Sequence, residues 1–249
     1  LGKRVRFFDA AGRTKDLNDL HTSTGVPALD DLKPVPVGVG RELTDLGNAE
    51  RLLDEHGGEL AYSEIEKRWY VLEGGVWVKQ PEEALSVVAR MQAIARALEA
   101  EAENASSEAG AKSIFSWAKK SQDSSRIGSA IKMAKPLFSV GDVFDKHPFL
   151  LGVANGVLDL ATGELLDDPG PAYVSRRCSV EFDPEAKAPR WEKFVDEIMC
   201  GDPELVSYLR RCVGYWLTGS CREQKFWLLH GARGQNGKGT FLNTVQKLL

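Results

Sequence analysis

The chain has 249 residues, 43% of them hydrophobic, with a formal net charge of −4. That length buries a sizeable core in one or two domains; no run approaches the ~18 apolar residues of a membrane span, and the overall charge gives no global pull toward nucleic acid, so any such contact must come from a local patch. Four cysteines, Cys178, Cys200, Cys212 and Cys221, lie far apart without a CxxC pair, and with four histidines they assemble no zinc-type cluster, so they read as reduced core thiols of a cytosolic protein.

In chain order, residues 3 to 8 form a basic, apolar strand, Gly12 turns the chain, and Lys15 to His21 open a helix capped by Asp16. Residues 33 to 40, KPVPVGVG, have neither helical nor strand period and read as an extended connector between domains. Beyond Arg41, Leu46, Ala49, Leu52 and Leu53 share one helix face, with Thr44 or Asp45 as cap and Gly57-Gly58 as stop. Short strands follow around Leu60 to Tyr62, Trp69 to Leu72 and Val76 to Lys79, the last two joined by a Glu73-Gly74-Gly75 hairpin turn. Pro81 starts a long amphipathic helix through about Asn104. Gly110 then separates it from a second helix carrying Phe115 and Trp117.

Between Lys112 and Lys135 the basic residues Lys112, Lys119, Lys120, Arg126, Lys132 and Lys135 face a single acid, Asp123. Such a stretch, with its interleaved aromatics, can track a phosphate backbone, which makes Lys112, Lys119, Lys120 and Arg126 candidates for binding DNA. It can equally be a solvated helix face whose two aromatics sit in the core. Leu150 to Leu166 returns to strands, with turns at Asn155-Gly156 and Thr162-Gly163. Helices from Trp191 to Met199 and Pro203 to Leu217 follow, with Gly201-Asp202 as break and cap.

Phe226 to Phe241, FWLLHGARGQNGKGTF, reads as a short apolar strand, a glycine-studded turn and a helix start. Glycines let backbone N–H groups converge on phosphate oxygens, the helix N-terminus adds its dipole, and Lys238 adds a point charge. Candidate nucleotide-binding residues are Gly231, Gly234, Gln235, Asn236, Gly237, Lys238, Gly239 and Thr240. Two positions depart from the strict GxxxxGK[ST] pattern: Ala232 stands where the first glycine belongs, and Gly239 where the magnesium-binding hydroxyl belongs, leaving Thr240 as the nearest hydroxyl. Taken by itself, the window also fits a plain glycine-rich turn between a buried strand and a helix. The sequence starts at Leu1 and stops about three turns into this last helix, so we expect a piece of a longer polypeptide. The acidic strand that would complete ATP hydrolysis, and the catalytic residues with it, are expected outside it.

Five blocks together resemble the phage and plasmid primase-helicases related to the poxvirus primase-helicase: GNAERLL at Gly47 to Leu53, WYVLEGGVW at Trp69 to Trp77, ANGVLDLATGEL at Ala154 to Leu165, GDPELVSYLRRCVGYWLTG at Gly201 to Gly219, and NGKGTF at Asn236 to Phe241. The resemblance implies an α/β protein: an α+β family-specific N-terminal domain over residues 44–200, then the start of a superfamily 3 helicase ATPase of AAA+ type over 201–249. It further implies ATP and Mg2+ as cofactors, DNA as partner, a homo-oligomeric ring, expected as a hexamer, no membrane, and a bacterial cytoplasm. Carried over, Lys238 would meet the β and γ phosphates, Gly234, Asn236 and Gly237 would form the loop, and Thr240 would be the magnesium ligand. The opening KRVRFFDAAGRTKDLNDL is similar to the tail of a Toprim primase domain, placed at 1–32 with a linker at 33–43. Asp16 would match its first metal-binding acid, while Asn18 stands at the second. The implied function is ATP-driven unwinding of DNA coupled to priming. A packaging-type DNA motor, or a non-catalytic docking module with a nucleotide site, are the alternatives.

Overall fold

The structure, a computed structural model, describes residues 7–8, 14–15, 40–231, 234 and 236–248. The expected Asp16-capped helix, most of the connector from residue 33, Ala232 and Gln235 lie outside the described residues. Of the first expected strand, Phe7–Phe8 (β1) pairs antiparallel with Thr14–Lys15 (β2). Lys15 is therefore paired with Phe7 in a ladder and does not open a helix.

The remainder divides into two compact units, one formed by the chain up to Gly57 with Leu85–Phe138, the other by Gly58–Ala84 with Ser139 onward. The first is helical: α1 (Asp45–His56), α2 (Leu85–Glu103), α3 (Glu108–Ser121) and α4 (Ser124–Leu137). Helix α1 packs on α2 and α4, and α2 on α3 and α4. Thr44 caps α1 by accepting from the Gly47 N–H at 3.0 Å. Ala49 and Leu52 are fully buried, each fully buried side chain of Leu52's size contributing roughly 1.5–3 kcal/mol. Leu46, expected on the same face, is 48% exposed, and the polar Asn48 and Arg51 take the inward positions. Arg51 is satisfied there: it donates to Glu101 Oε1 at 3.1 Å and to the carbonyls of Arg41 at 2.9 Å and Glu42 at 3.0 Å.

Two helix boundaries differ from expectation. Pro81 begins a turn closed by the Ala84 N–H on its carbonyl at 3.1 Å, so α2 starts at Leu85. Gly110 lies inside α3, where its N–H is taken by the capping hydroxyl of Ser107 at 3.1 Å; the break falls at residues 104–107.

The second unit carries a sheet ordered β5-β4-β3-β6, from Leu60–Ser63 (β3), Arg68–Glu73 (β4), Val76–Lys79 (β5) and Ser139–Val140 (β6), antiparallel except for the β3–β6 pair. Gly74 and Gly75 turn β4 into β5 with φ of 57° and 85°, as a two-residue hairpin requires. A meander of Leu150–Val153 (β7), Gly156–Asp159 (β8) and Glu164–Leu165 (β9) forms the second sheet. Val76 of the first sheet clusters with Val157 of the second and with Val174. Tyr70 stacks on Phe144 with ring centroids 4.0 Å apart, and the Trp77 indole N–H donates to the Gly170 carbonyl at 2.8 Å. Helices α5 (Pro189–Ile198), α6 (Pro203–Trp216) and α7 (Lys238–Leu248) complete the unit. Of the expected core thiols, Cys178 and Cys212 are buried while Cys200 and Cys221 are exposed, and all four are free. Cys200 sits in a tight reversal with φ of 57°, which keeps it at the surface. No described helix is long and apolar enough to cross a membrane.

Candidate functional site

The glycine-rich segment ends in Gly237, whose φ of +79° suits glycine. A Cβ there would lie 2.6 Å from Ile198 Cγ2 and 3.2 Å from Phe194 Cε2 on α5, so the backbone makes an approach that no side chain permits. Helix α7 starts at the next residue, and the Phe241 N–H bonds back to the Gly237 carbonyl at 2.9 Å. The N–H groups of the first turn have no intrahelical acceptor and point out of the helix start with the positive end of its dipole. Lys238 Nζ lies 2.5 Å from Asn236 Oδ1, and a Cβ on Gly231 would run into the Asn236 amide and come within 3.1 Å of Lys238 Nζ. Gly231, Asn236 and Lys238 are thus brought together, whereas a Cβ on Gly234 or Gly239 would meet nothing, and Gln235 lies outside the described residues. Thr240 is exposed, on the first turn.

What holds this loop is an aromatic cluster. Phe241, 1% exposed, stacks on Trp191 with centroids 5.6 Å apart and meets Trp216 edge-on at 6.2 Å. Trp216 in turn meets Trp227 at 5.4 Å. Sequence reasoning passed over these rings; the signal available was the run of tryptophans from Trp191 to Trp227, which spacing alone does not bring together.

The strand expected before the loop is absent. Residues 226–231 pair with no described strand, and Phe226 and Leu228 are 88% and 81% exposed. The period-2 alternation survives, because Trp227 and Leu229 are half-buried between them, but alternation makes a strand only where a neighbouring strand supplies the ladder. No group of three or more His, Cys, Asp or Glu side chains able to hold a metal occurs among the described residues. Asp16 lies outside them.

The DNA-binding candidates fall on α3 and α4. Lys112 pairs with Glu108 at 2.8 Å, and Arg126 pairs with Asp45 at 3.1 Å while its guanidinium lies 5.4 Å from the Trp117 ring centroid. Lys120 is exposed, and Lys119 Nζ stands 5.1 Å from the Phe115 ring centroid. Trp117 is half-buried and its N–H donates to Asn48 Oδ1 at 3.2 Å. Phe115 does not enter the core; it is 48% exposed. Elsewhere, burial pushes the Cys178 thiol up, and its Sγ donates to the Gly152 carbonyl at 3.1 Å, so this cysteine serves packing.

No curated protein matches the chain. A family model described as D5 N terminal like matches residues 49–200, more than half of it, and spans both larger sheets and α2 to α5. The chain therefore belongs to the D5 N-terminal-like family, which is the N-terminal domain of D5-like primase-helicase proteins.

Proposed function

We propose that the chain is part of a replication primase-helicase of a phage or plasmid-like element, and that the loop from Gly231 to Thr240 binds the phosphates of ATP. The observation that carries this is Lys238 at the first turn of α7, directly after the positive-φ Gly237. A cationic side chain, a glycine-rich turn and a helix N-terminus suit a triphosphate. Magnesium finds only the Thr240 hydroxyl here, which fits an ion held mainly by phosphates and water. In this reading ATP supplies the free energy for unwinding, and the chain's own residues bind and orient it. A superfamily 3 ring of AAA+ subunits, expected as a hexamer, a Toprim tail around Asp16, single-stranded or forked DNA as partner and the bacterial cytoplasm complete the proposal. Residues 226–229, with the alternation of a strand and no strand partner among the described residues, support it as the position where the ATPase sheet would form.

The test is Lys238→Ala. Lys238 contacts the exposed Asn236, so the fold should survive. Binding of a fluorescent ATP analogue to the chain is expected to weaken at least about tenfold, the loss of one charge-assisted contact. In the complete protein, DNA-stimulated ATP hydrolysis and unwinding should disappear. Undiminished nucleotide affinity and turnover would overturn the assignment.

A further inference from the structure

We propose that the outer face of α3 binds single-stranded DNA, with Phe115 as a base-stacking platform and Lys119 and Lys120 as phosphate contacts. The inference rests on the replication reading and adds to it a place and a strand state. On α3, positions 112, 115, 116, 119 and 120 recur at helical spacing along one side, a strip about 12 Å long. Beside it Leu43, Lys112, Ser113, Ser116, Trp117 and Lys120 line a shallow, open groove of about 400 Å³, while Phe115 and Lys119 stand outside that lining, farther round the helix.

The floor of the groove is fixed. Trp117 is tied to Asn48, which is 2% exposed and donates to the Ser121 hydroxyl at 3.0 Å. Lys112 of the strip is spent on Glu108 and the neighbouring Arg126 on Asp45, but Lys119 and Lys120 make no ion pair with any described residue. Their place in the last turn of α3 is explained by the helix dipole alone. The dipole does not explain Phe115. A phenylalanine left 48% exposed, with a lysine ammonium 5.1 Å from its ring centre, keeps about half of its surface open to a ligand. An exposed cation–π contact is weak enough for a base to displace, and the displaced ammonium then lies beside the phosphate of the stacked nucleotide. An open aromatic face flanked by cations is the composition of sequence-tolerant single-strand sites. Duplex DNA cannot use the platform, because its bases are already stacked on one another.

The experiment measures binding of the full chain to a fluorescent oligo-dT of about 16 nucleotides, the upper site size of a single-strand-binding fold, across a salt series. Phe115→Ala is expected to weaken binding roughly five- to hundredfold, with the salt slope unchanged. The pair Lys119→Gln and Lys120→Gln is expected to flatten the slope by about 1.4, two single-strand phosphate contacts. All three side chains are at the surface, and unchanged thermal melting of each variant confirms that the fold is intact. Full affinity in Phe115→Ala, or equal competition by duplex DNA or by polyglutamate, overturns the proposal. A chain that binds ATP but not oligo-dT also overturns it and leaves the nucleotide reading standing; a chain that binds neither overturns both.

Discussion

Glu66, in the turn between β3 and β4, is held ionised. Its Oε2 sits 2.5 Å from Lys79 Nζ and accepts from the Tyr70 hydroxyl at 2.7 Å. The hydrogen bond from Lys79, and then that from Tyr70, hold its carboxyl below the ordinary value of 4.5. The Tyr70 phenol is pushed up, by burial first and then by its bond to Glu66. A carboxylate whose folded pKa is depressed contributes stability that is present above its unfolded value and is lost as pH falls through the folded one. Stability should therefore decline on acidification below about pH 4.5, with part of that decline belonging to this cluster. Glu66 and Lys79 are 42% and 53% exposed, so solvent screens the effect and keeps it small. Glu66→Gln is expected to lower stability slightly at neutral pH and to flatten its fall in acid, read from urea midpoints on either side of pH 4.5. Parallel curves for variant and wild type would remove Glu66 from the acid response.

Helix α6 carries its own start signal and, at its far end, a contact with the helix that follows the glycine-rich loop. Asp202 Oδ1 accepts from the N–H groups of Glu204 at 2.9 Å and Leu205 at 3.2 Å, and Pro203 opens the helix. Asp202→Ala should cost about 1 kcal/mol, and Asp202→Gly a few tenths. Trp216, which meets Phe241 and Trp227, lies about 20 Å along the helix. Urea denaturation should therefore register the lost cap while ATP-analogue affinity stays at the wild-type level. Affinity falling in step with stability would mean that the loop depends on the whole helix. The same contrast explains how much of the molecule was legible in its sequence. Gly74-Gly75 and Asp202 were legible, and Thr44 as one of two candidate caps, because one or two residues decide a cap or a tight turn locally. Gly110 was misread as a break because a glycine bonded to a serine cap three residues earlier looks, without that bond, like a helix stop. At the loop, the turn at Gly237 was legible because few residue types suit a positive φ. The strand at 226–231 and the aromatic support from Trp191, Trp216 and Phe241 were not, because both depend on what lies across in space.

At the scale of the whole molecule, the two proposed ligands use different compact units, one with Phe115, Lys119 and Lys120, the other with Gly231 to Thr240. With a net charge of −4, the chain has no overall field to draw DNA toward it. Coupling between two sites requires an element whose equilibrium both ligands bias, and no described residue serves both. Saturating ATP is therefore expected to change the oligo-dT dissociation constant of this chain by less than about twofold, well under the 1.4 kcal/mol of a tenfold effect. Lys238→Ala should keep wild-type affinity for oligo-dT, and Phe115→Ala should keep wild-type affinity for the nucleotide, the two losses adding in the double variant. Linkage makes the check reciprocal, because any factor by which ATP shifts the DNA affinity must reappear when saturating oligo-dT is present in the ATP titration. Equal tenfold shifts in both titrations would refute independence and show that the units exchange free energy within this chain; shifts absent from both would bear it out.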